Sequence, residues 1–433
     1  MRYQHIDPNL FIQNRKKLAM HLQPNSLVVL QSNDLMPKNT DGTMPFVQNS
    51  DLFYLSGLDQ EETILLLYPD AIKTEWQAIL FIKETDATLA IWEGHKYSQE
   101  EASSMSGITT IYWTSQFNQI FHTLMGLVDY IYLNANEHVR ANTPVETRDK
   151  RFISWCKAHY PLHQYARIAP IMQKLRGIKE EAEIGLIQEA CHITEAGFRS
   201  ILPRIHAGLM EYEIEGRLAY EFIRRGSRGF AYSPIVASGA NSCILHYINN
   251  NKACPAGELL LIDVGAEYAN YSADVTRVIP IDGKFTTRQR QVYNAVLRIL
   301  QSAQVLLRPG LSFGDYNQAI IALVESELIG LKLINAKDIK NQPKGMPLYK
   351  KYFMHGISHH LGLSTHDLGD VHGTMVANMV LTIEPGIYIK EENIGIRIEN
   401  NVVIRSNGVQ NLTENIPIEA EEIEELMHIK VKG

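Results

Sequence analysis

Short runs of apolar residues closed by turn residues recur through the first part of the chain, a pattern typical of buried strands. These runs are 26–30, 64–68, 78–82, 88–92 and 130–133, and Trp92 at the end of the fourth is interpreted as a core residue. Apolar positions at helical spacing predict helices that begin at Pro8 and near Gln116. A loop rich in Asn, Asp, Gly and Pro is predicted to extend through the segment QNSDLFYLSGL to residue 58. Strands that alternate with helices predict an α/β domain.

The pattern changes near Gly177, where a dense run of charges precedes two helical segments. Apolar residues at 184, 187 and 191 share one face of the first helix, and those at 214, 218 and 222 share one face of the second. Strands follow, then two helices that begin after the predicted caps Thr286 and Ser312, then strands between 380 and 404. We therefore predict two domains, residues 1–176 and 177–433, the second with a duplicated order of helices and strands.

The amino-acid composition and net charge indicate what kind of protein this is. Of the 433 residues, 45% are hydrophobic and 21% are charged, as in soluble globular proteins. The net charge of −7 argues against nucleic acid or an anionic membrane as a partner. The four cysteines form no CxxC pair, which argues against a disulfide framework or a thiolate zinc site. Because the sequence shows neither the apolar core of a signal peptide nor a membrane-spanning run, we expect a cytoplasmic protein.

Two aspartates stand inside apolar, strand-like sequence. Asp263 ends the aliphatic run 259–262, and Asp274 lies eleven residues later between alanine and valine. A buried carboxylate costs free energy unless it is paired or bound to a metal. Turn-forming residues between the two runs predict antiparallel strands, on which the two aspartates face each other across a hairpin. In the alternative interpretation, one aspartate caps a turn and the other pairs with Arg277.

Further downstream, three more acidic or imidazole side chains occupy similar positions. His359, Glu384 and Glu399 each stand beside apolar, strand-like residues, and five of the sixteen histidines lie between 355 and 372. Four carboxylates and one imidazole form a plausible ligand set for two hard or borderline divalent ions, since carboxylates can bridge such ions. The sequence therefore indicates a dinuclear metal site.

This ordered set of five residues resembles that of the metallopeptidase family with the pita-bread fold, which includes aminopeptidase P, prolidase and methionine aminopeptidase. The resemblance extends over nearly the whole chain and is greatest for aminopeptidase P, whose N-terminal domain has a segment similar to QNSDLFYLSGL. It implies a creatinase-like α/β N-terminal domain followed by an α+β pita-bread catalytic domain with a curved antiparallel sheet.

The resemblance also implies a role for each ligand. Asp263 would bind one metal, His359 and Glu384 the other, and Asp274 and Glu399 would bridge both. Two divalent ions roughly 3.5–4 Å apart can lower the pKa of a bridging water toward neutrality. Mn²⁺ is the expected metal, although such oxygen-rich ligands also accept Co²⁺, Zn²⁺ or Fe²⁺. Glu384 is in addition the implied proton carrier.

Further residues are implied to line the substrate pocket. His246, His355 and His366 match pocket histidines that hydrogen-bond the substrate or the tetrahedral intermediate. Arg397 lies two residues before Glu399, and either pairs with a carboxylate ligand or lines the pocket. Tyr388 is a weaker candidate, interpreted mainly as a packing residue.

The implied activity is removal of the N-terminal residue from peptides that have proline in second position. The segment HGISHHLGLSTHD and the short spacing between Glu384 and Glu399 favour aminopeptidase P over prolidase, which acts on Xaa-Pro dipeptides. A pita-bread protein that only binds peptides is a further alternative, disfavoured because all five ligands are present. The resemblance also implies a homodimer or homotetramer.

Overall fold

The computed structural model describes residues 2–343 and 345–429. The chain divides into two compact units: the first is Gln4–Leu175, and the second begins at Arg176 and includes the short segment before Gln4. Within the described residues, no helix combines the length and the apolar content that crossing a bilayer would require.

The first unit is built on a mixed six-stranded sheet, which confirms the α/β prediction. Two of its strand pairs are antiparallel and three are parallel. The strands, in the spatial order β4-β3-β2-β1-β5-β6, are β1 (Ser26–Gln31), β2 (Ile64–Leu67), β3 (Ala78–Ile82), β4 (Thr110–Trp113), β5 (Tyr130–Leu133) and β6 (Gln164–Arg167). The helices are α1 (Asn9–Ala19), α2 (Ser50–Ser56), α3 (Ala87–Glu93), α4 (Gln99–Ser106), α5 (Phe117–Met125) and α6 (Arg148–His159), and α7 (Ala169–Gly177) runs across the point of division.

Three local predictions for this unit are wrong. The run 88–92 forms helix α3 instead of a strand, because the Asp86 side chain accepts a hydrogen bond from the Leu89 amide at 2.7 Å and caps a helix there. Trp92 is not a core residue, since 84% of its surface is exposed. The segment predicted as the end of a loop contains helix α2, which the Asn49 side chain caps.

The second unit repeats the order of two long helices followed by strands, as predicted. The two predicted helix caps are confirmed, because the side chains of Thr286 and Ser312 both accept hydrogen bonds from backbone amides. The helices are α8 (Glu181–Ile201), α9 (Glu211–Arg224), α10 (Thr287–Leu306), α11 (Phe313–Gly330), α12 (Ala336–Asn341) and α13 (Ala420–Met427). The strands are β7 (Ile235–Ser238), β8 (Leu259–Val264), β9 (Glu267–Tyr268), β10 (Tyr271–Ser272), β11 (Val275–Pro280), β12 (Val380–Ile383), β13 (Gly386–Ile389), β14 (Ile394–Arg397), β15 (Asn400–Arg405) and β16 (Gly408–Asn411).

Each strand pair described in this unit is antiparallel. Strand β8 lies between β7 and β11, and β15 lies between β12 and β16. A backbone hydrogen bond from the Glu399 amide to the Thr276 carbonyl, at 3.1 Å, joins these two groups of strands. One continuous apolar core beneath the strands contains residues of α8 to α11 and of both groups.

The strands that hold the two aspartates approach each other closely at Gly265. β8 and β11 are antiparallel, as predicted, but Asp263 pairs with Thr276 and not with Asp274. The predicted turn is itself a small hairpin of β9 and β10, whose two turn residues, Ala269 and Asn270, have φ angles of 51° and 68°. A side chain at Gly265 would place Cβ only 1.7 Å from the Ala273 carbonyl oxygen, so this hairpin requires glycine.

Substitution of Gly265 by alanine should therefore destabilise the second unit. We expect the free energy of unfolding, measured by urea denaturation, to fall by about 1–3 kcal/mol or more, the usual cost of forcing an extra carbon into a packed site. Gly185→Ala is the matched control, because Gly185 is an exposed residue of α8 with no atom within 4 Å of a new Cβ. It should be neutral or stabilise by about 0.5–1 kcal/mol. Equal losses in both variants would contradict the steric requirement.

Candidate metal centre

The five predicted ligands all lie at or beside the ends of strands. Asp263 is the penultimate residue of β8, and Asp274 immediately precedes β11. Glu384 immediately follows β12, and Glu399 immediately precedes β15. His359 is fixed against β12, because its amide donates to the Thr382 hydroxyl at 3.1 Å and its carbonyl accepts from the Thr382 amide at 2.9 Å.

A half-buried tyrosine joins the two aspartates. The Tyr232 hydroxyl lies 2.5 Å from Asp263 Oδ1 and 2.6 Å from Asp274 Oδ1. The alternative in which an aspartate pairs with Arg277 is wrong: this guanidinium donates to the carbonyls of Thr276 and Glu399 and to other backbone and amide oxygens. The two aspartates are therefore left facing the centre of the site.

The structure brings the remaining ligands to the same point. Ligand atoms of Asp274, His359 and Glu399 all lie within 4.8 Å of one another. His359 Nε2 is 3.4 Å from Asp274 Oδ2 and 3.7 Å from Glu384 Oε1. The Thr276 hydroxyl donates to Glu399 Oε2 at 2.7 Å and orients that carboxylate. All five predicted ligands thus belong to one cluster.

The electrostatics of this cluster are unfavourable for so many carboxylates. Burial raises the pKa of Glu384 to about 7, partly opposed by His359. Burial, with the charges of Asp274 and Glu384, raises the pKa of Glu399 well above its ordinary value, and burial also raises the pKa of Asp263. Within the part of the chain that is described, the cluster thus has an excess of buried acidic groups.

Divalent cations fit this donor set. Carboxylate oxygens and an imidazole nitrogen suit ions such as Mn²⁺, Zn²⁺ and Co²⁺, and cations would offset the repulsion that raises these pKa values. For His359, burial lowers the pKa, but the hydrogen bond with Asp274 and the charge of Glu384 outweigh burial and raise it. The same carboxylates that now attract a proton to this ring would attract a metal ion.

A chain of hydrogen bonds links the cluster to the predicted pocket. Arg397 Nη2 donates to Asp263 Oδ2 at 2.6 Å, and Arg397 Nη1 donates to the Tyr388 hydroxyl at 2.8 Å. The same hydroxyl lies 2.8 Å from His355 Nε2. Of the two possibilities for Arg397, the structure therefore shows pairing with a carboxylate. Tyr388 is more than a packing residue, because it connects Arg397 to His355.

The three predicted pocket histidines differ in environment. His355 is half-buried, and burial, followed by the charge of Arg397, lowers its pKa to about 4, with His246 acting in the same direction. His366 is exposed, and its ring centre lies 4.4 Å from that of His359 in an edge-to-face arrangement. His246 is also exposed, on the loop that follows β7.

Three residues that support the site were missed in the sequence. Tyr232 lies some thirty residues before Asp263, in a segment without any metal-ligand pattern, and nothing in the sequence signals its role. In the sequence, nothing distinguishes Thr276 from other residues of a strand. Asn401 binds the backbone of Asp274, donating from its amide nitrogen to the carbonyl and accepting from the amide at 3.0 Å. A polar residue within the apolar strand β15 could have indicated such a contact.

Comparisons with known proteins agree with this geometry. The model of metallopeptidase family M24 matches residues 185–406, and the model of the aminopeptidase P N-terminal domain matches residues 11–132. The Xaa-Pro aminopeptidase of Escherichia coli is 33% identical over 432 residues, which span 96% of this chain and 97% of that protein. The chain belongs to metallopeptidase family M24.

Other members of the family M24 resemble the chain over most of its length. Human Xaa-Pro aminopeptidase 3 is 28% identical, over 92% of this chain and 80% of that protein. The zinc-substituted E. coli aminopeptidase P in complex with product has a TM-score of 0.86 and 31% identity, covering 98% of this chain and 99% of that one. Pseudomonas aeruginosa aminopeptidase PepP has a TM-score of 0.88 and 29% identity, covering 98% of both chains. The predicted fold class, an α/β domain followed by a pita-bread domain, is confirmed.

Divalent ions should stabilise this family M24 protein, because they would offset repulsion within the cluster. Mn²⁺ at one hundred times its Kd should add about 2.7 kcal/mol to the free energy of unfolding, which thermal unfolding of EDTA-treated protein would measure. Glu399→Gln should reduce this gain. Asp282→Asn, which changes an exposed carboxylate just beyond β11, should keep it in full. An equal gain in both variants would argue against metal binding at the cluster.

Proposed function

We propose that this metallopeptidase is an Xaa-Pro aminopeptidase, which removes the first residue of peptides that have proline second. The observation that carries the proposal is the gathering of Asp274, His359 and Glu399 ligand atoms within 4.8 Å. The Tyr232 hydroxyl links Asp263 to Asp274, and Glu384 Oε1 lies 3.7 Å from His359 Nε2. The named activity of the E. coli and human relatives supports the choice of substrate.

The proposed ligand assignment is the one that the family resemblance implies. Asp263 would hold one ion, His359 and Glu384 would hold the other, and Asp274 and Glu399 would contribute to both. Oxygen-rich coordination favours Mn²⁺, with Co²⁺, Zn²⁺ or Fe²⁺ as substitutes. When bound, the ions would polarise the scissile carbonyl and acidify a water molecule, so that no serine or cysteine nucleophile is needed.

Glu384 is proposed to carry the proton. One carboxylate oxygen, Oε1, lies 3.7 Å from His359 Nε2, and the other, Oε2, lies 3.7 Å from His355 Nδ1. The carboxylate therefore stands between the ligand cluster and the pocket, where it can take a proton from water and release it to the leaving nitrogen. His355, held by Tyr388, together with His246 and His366, would hydrogen-bond the substrate as the carbonyl becomes tetrahedral.

Proline specificity is consistent with this arrangement of groups. An Xaa-Pro bond is a tertiary amide without an N–H, so a peptidase that grips that N–H cannot bind it normally. A site that acts on the carbonyl oxygen and protonates the leaving nitrogen does not need the missing donor. Catalysis at such a bond therefore depends on the carboxylates and histidines described above, and not on recognition of the backbone amide.

We further propose a cytoplasmic homodimer or homotetramer, with the boundary between its two domains near Gly177. The first unit exposes Ile91 and Trp92, which are successive residues of helix α3, with 80% and 84% of their surfaces accessible. Exposed apolar surface can mark a contact site. We take these two exposed side chains as support for self-association.

Substrate length should separate aminopeptidase P from prolidase activity. Protein stripped of metal and then titrated with Mn²⁺ should release the first residue from an Xaa-Pro-Yaa tripeptide, while an Xaa-Pro dipeptide should be cleaved far more slowly. Chromatography of the products would measure both rates. Cleavage of the dipeptide alone would replace the proposal by prolidase. If neither peptide is cleaved in the presence of metal, the protein is a peptide-binding member of the fold.

Asp274→Asn should abolish hydrolysis, because the amide removes one bridging oxygen charge from the cluster. We expect kcat/KM for the tripeptide to fall by at least about 100-fold, since changes that only surround a metal site already cost 10- to 100-fold. Asp282→Asn is again the matched control and should keep full activity. Full activity in Asp274→Asn would remove the metal-dependent mechanism.

A further inference from the structure

Glu211 is a fully buried carboxylate that the proposed mechanism does not use. It is the first residue of α9, and its side chain has no exposed surface. Five donors surround it. Oε1 accepts from the Ser238 amide at 2.8 Å, the Ser238 hydroxyl at 2.7 Å and the Asn241 side-chain amide at 3.4 Å, and Oε2 accepts from the Tyr247 hydroxyl at 2.8 Å and the Lys252 amide at 2.9 Å.

These donors all belong to one loop and its two ends. The loop 239–251 leaves the sheet after Ser238 and ends before Lys252, so the carboxylate holds both ends together. Asn241 and Tyr247 add contacts from within the loop. Tyr247 is buried, and its neighbour His246 is exposed. The buried hydrogen bond of Tyr247 therefore fixes the backbone from which His246 projects.

A second contact anchors the same loop to the strand that leads to the metal cluster. The Gly395 amide in β14 donates to the Ser242 hydroxyl at 2.9 Å. A Cβ at residue 395 would lie 2.1 Å from the Ser242 carbonyl oxygen, so the loop backbone packs directly on this glycine. Strand β14 ends at Arg397, which pairs with Asp263. The loop thus has a fixed position relative to the cluster on one side and to Glu211 on the other.

We propose that Glu211 is a positioning residue, which holds loop 239–251 so that His246 meets the substrate. Burying a charge costs free energy unless hydrogen bonds compensate for the lost contacts with water. The five donors to Glu211 provide this compensation only when the loop has the conformation described above. The inference rests on the proposed function, because it assigns Glu211 an effect on catalysis that passes through His246.

Glu211→Gln tests this role with little change of shape. The amide nitrogen cannot accept hydrogen bonds, so either the Ser238 or the Lys252 backbone N–H loses its acceptor. We expect kcat/KM for an Xaa-Pro-Yaa tripeptide to fall by about 10-fold or more, since small misplacements of a positioned group can cost up to about 100-fold. The bound metal per chain, measured by elemental analysis, should stay unchanged.

A double-mutant cycle distinguishes positioning from general destabilisation. In a His246→Ala background, Glu211→Gln should cause almost no further loss of kcat/KM, because the residue that it positions is already absent. Glu183→Gln is the matched control: Glu183 is also buried in the first turn of a helix, α8, and accepts from the Tyr271 hydroxyl at 3.0 Å. Its effect should be the same in both backgrounds. Equal losses for Glu211→Gln in both backgrounds, or no loss at all, would overturn the proposal.

Hydrogen exchange keeps the test independent of activity. Glu211→Gln should speed amide exchange in residues 239–251 by about 10-fold or more while amides of β8 keep their wild-type rates. Unchanged exchange in the loop would overturn the positioning role even if activity fell. If wild-type protein cleaves no Xaa-Pro peptide, the proposed function fails, and the exchange data alone decide whether Glu211 orders the loop. If Glu211→Gln does not fold, Tyr247→Phe, which removes a single donor, is measured in the same way.

Discussion

The repulsion among four clustered carboxylates, three of them buried and one half-buried, is the constraint on which the second unit depends. Asp263, Asp274, Glu384 and Glu399 lie at strand ends beside an apolar core, where a charged group is costly even alone. Burial raises the pKa values of Asp263, Glu384 and Glu399, and an arginine and a histidine beside the cluster offset only part of this cost. A cation fits the place where the carboxylates converge because the protein has already assembled the oxygen ligands.

The supporting hydrogen bonds explain how such a cluster can fold. Tyr232 lies between the two aspartates, Thr276 orients Glu399, and Asn401 ties the backbone of Asp274 to the neighbouring strand. Arg397 extends the network through Tyr388 to His355. These neighbours fix the direction of each carboxylate before substrate arrives, which is the preorganisation that electrostatic catalysis requires.

The ligands could be predicted from sequence because each interrupts or ends an apolar run, where a charged residue is out of place. Their assignment to one site followed from their order along the chain and from the family resemblance, and the structure places all five near one another. Tyr232 and Glu211 could not be predicted, since their roles depend on contacts with strands and loops distant in the chain. Helix α3 was predicted as a strand because its local composition favours one. The Asp86 side chain instead accepts a hydrogen bond from the Leu89 amide and caps a helix at this position.

The distribution of the four carboxylates between the two halves of the unit has a consequence for metal binding. Each half of the repeated layout contributes two carboxylates, Asp263 and Asp274 from the first and Glu384 and Glu399 from the second. The proposed ligands therefore come from both halves, and ions held by them would connect the two groups of strands that meet at the hydrogen bond between Glu399 and Thr276. Metal binding would then stabilise the junction between the two groups of strands, so the stability of this junction would depend on the metal supply.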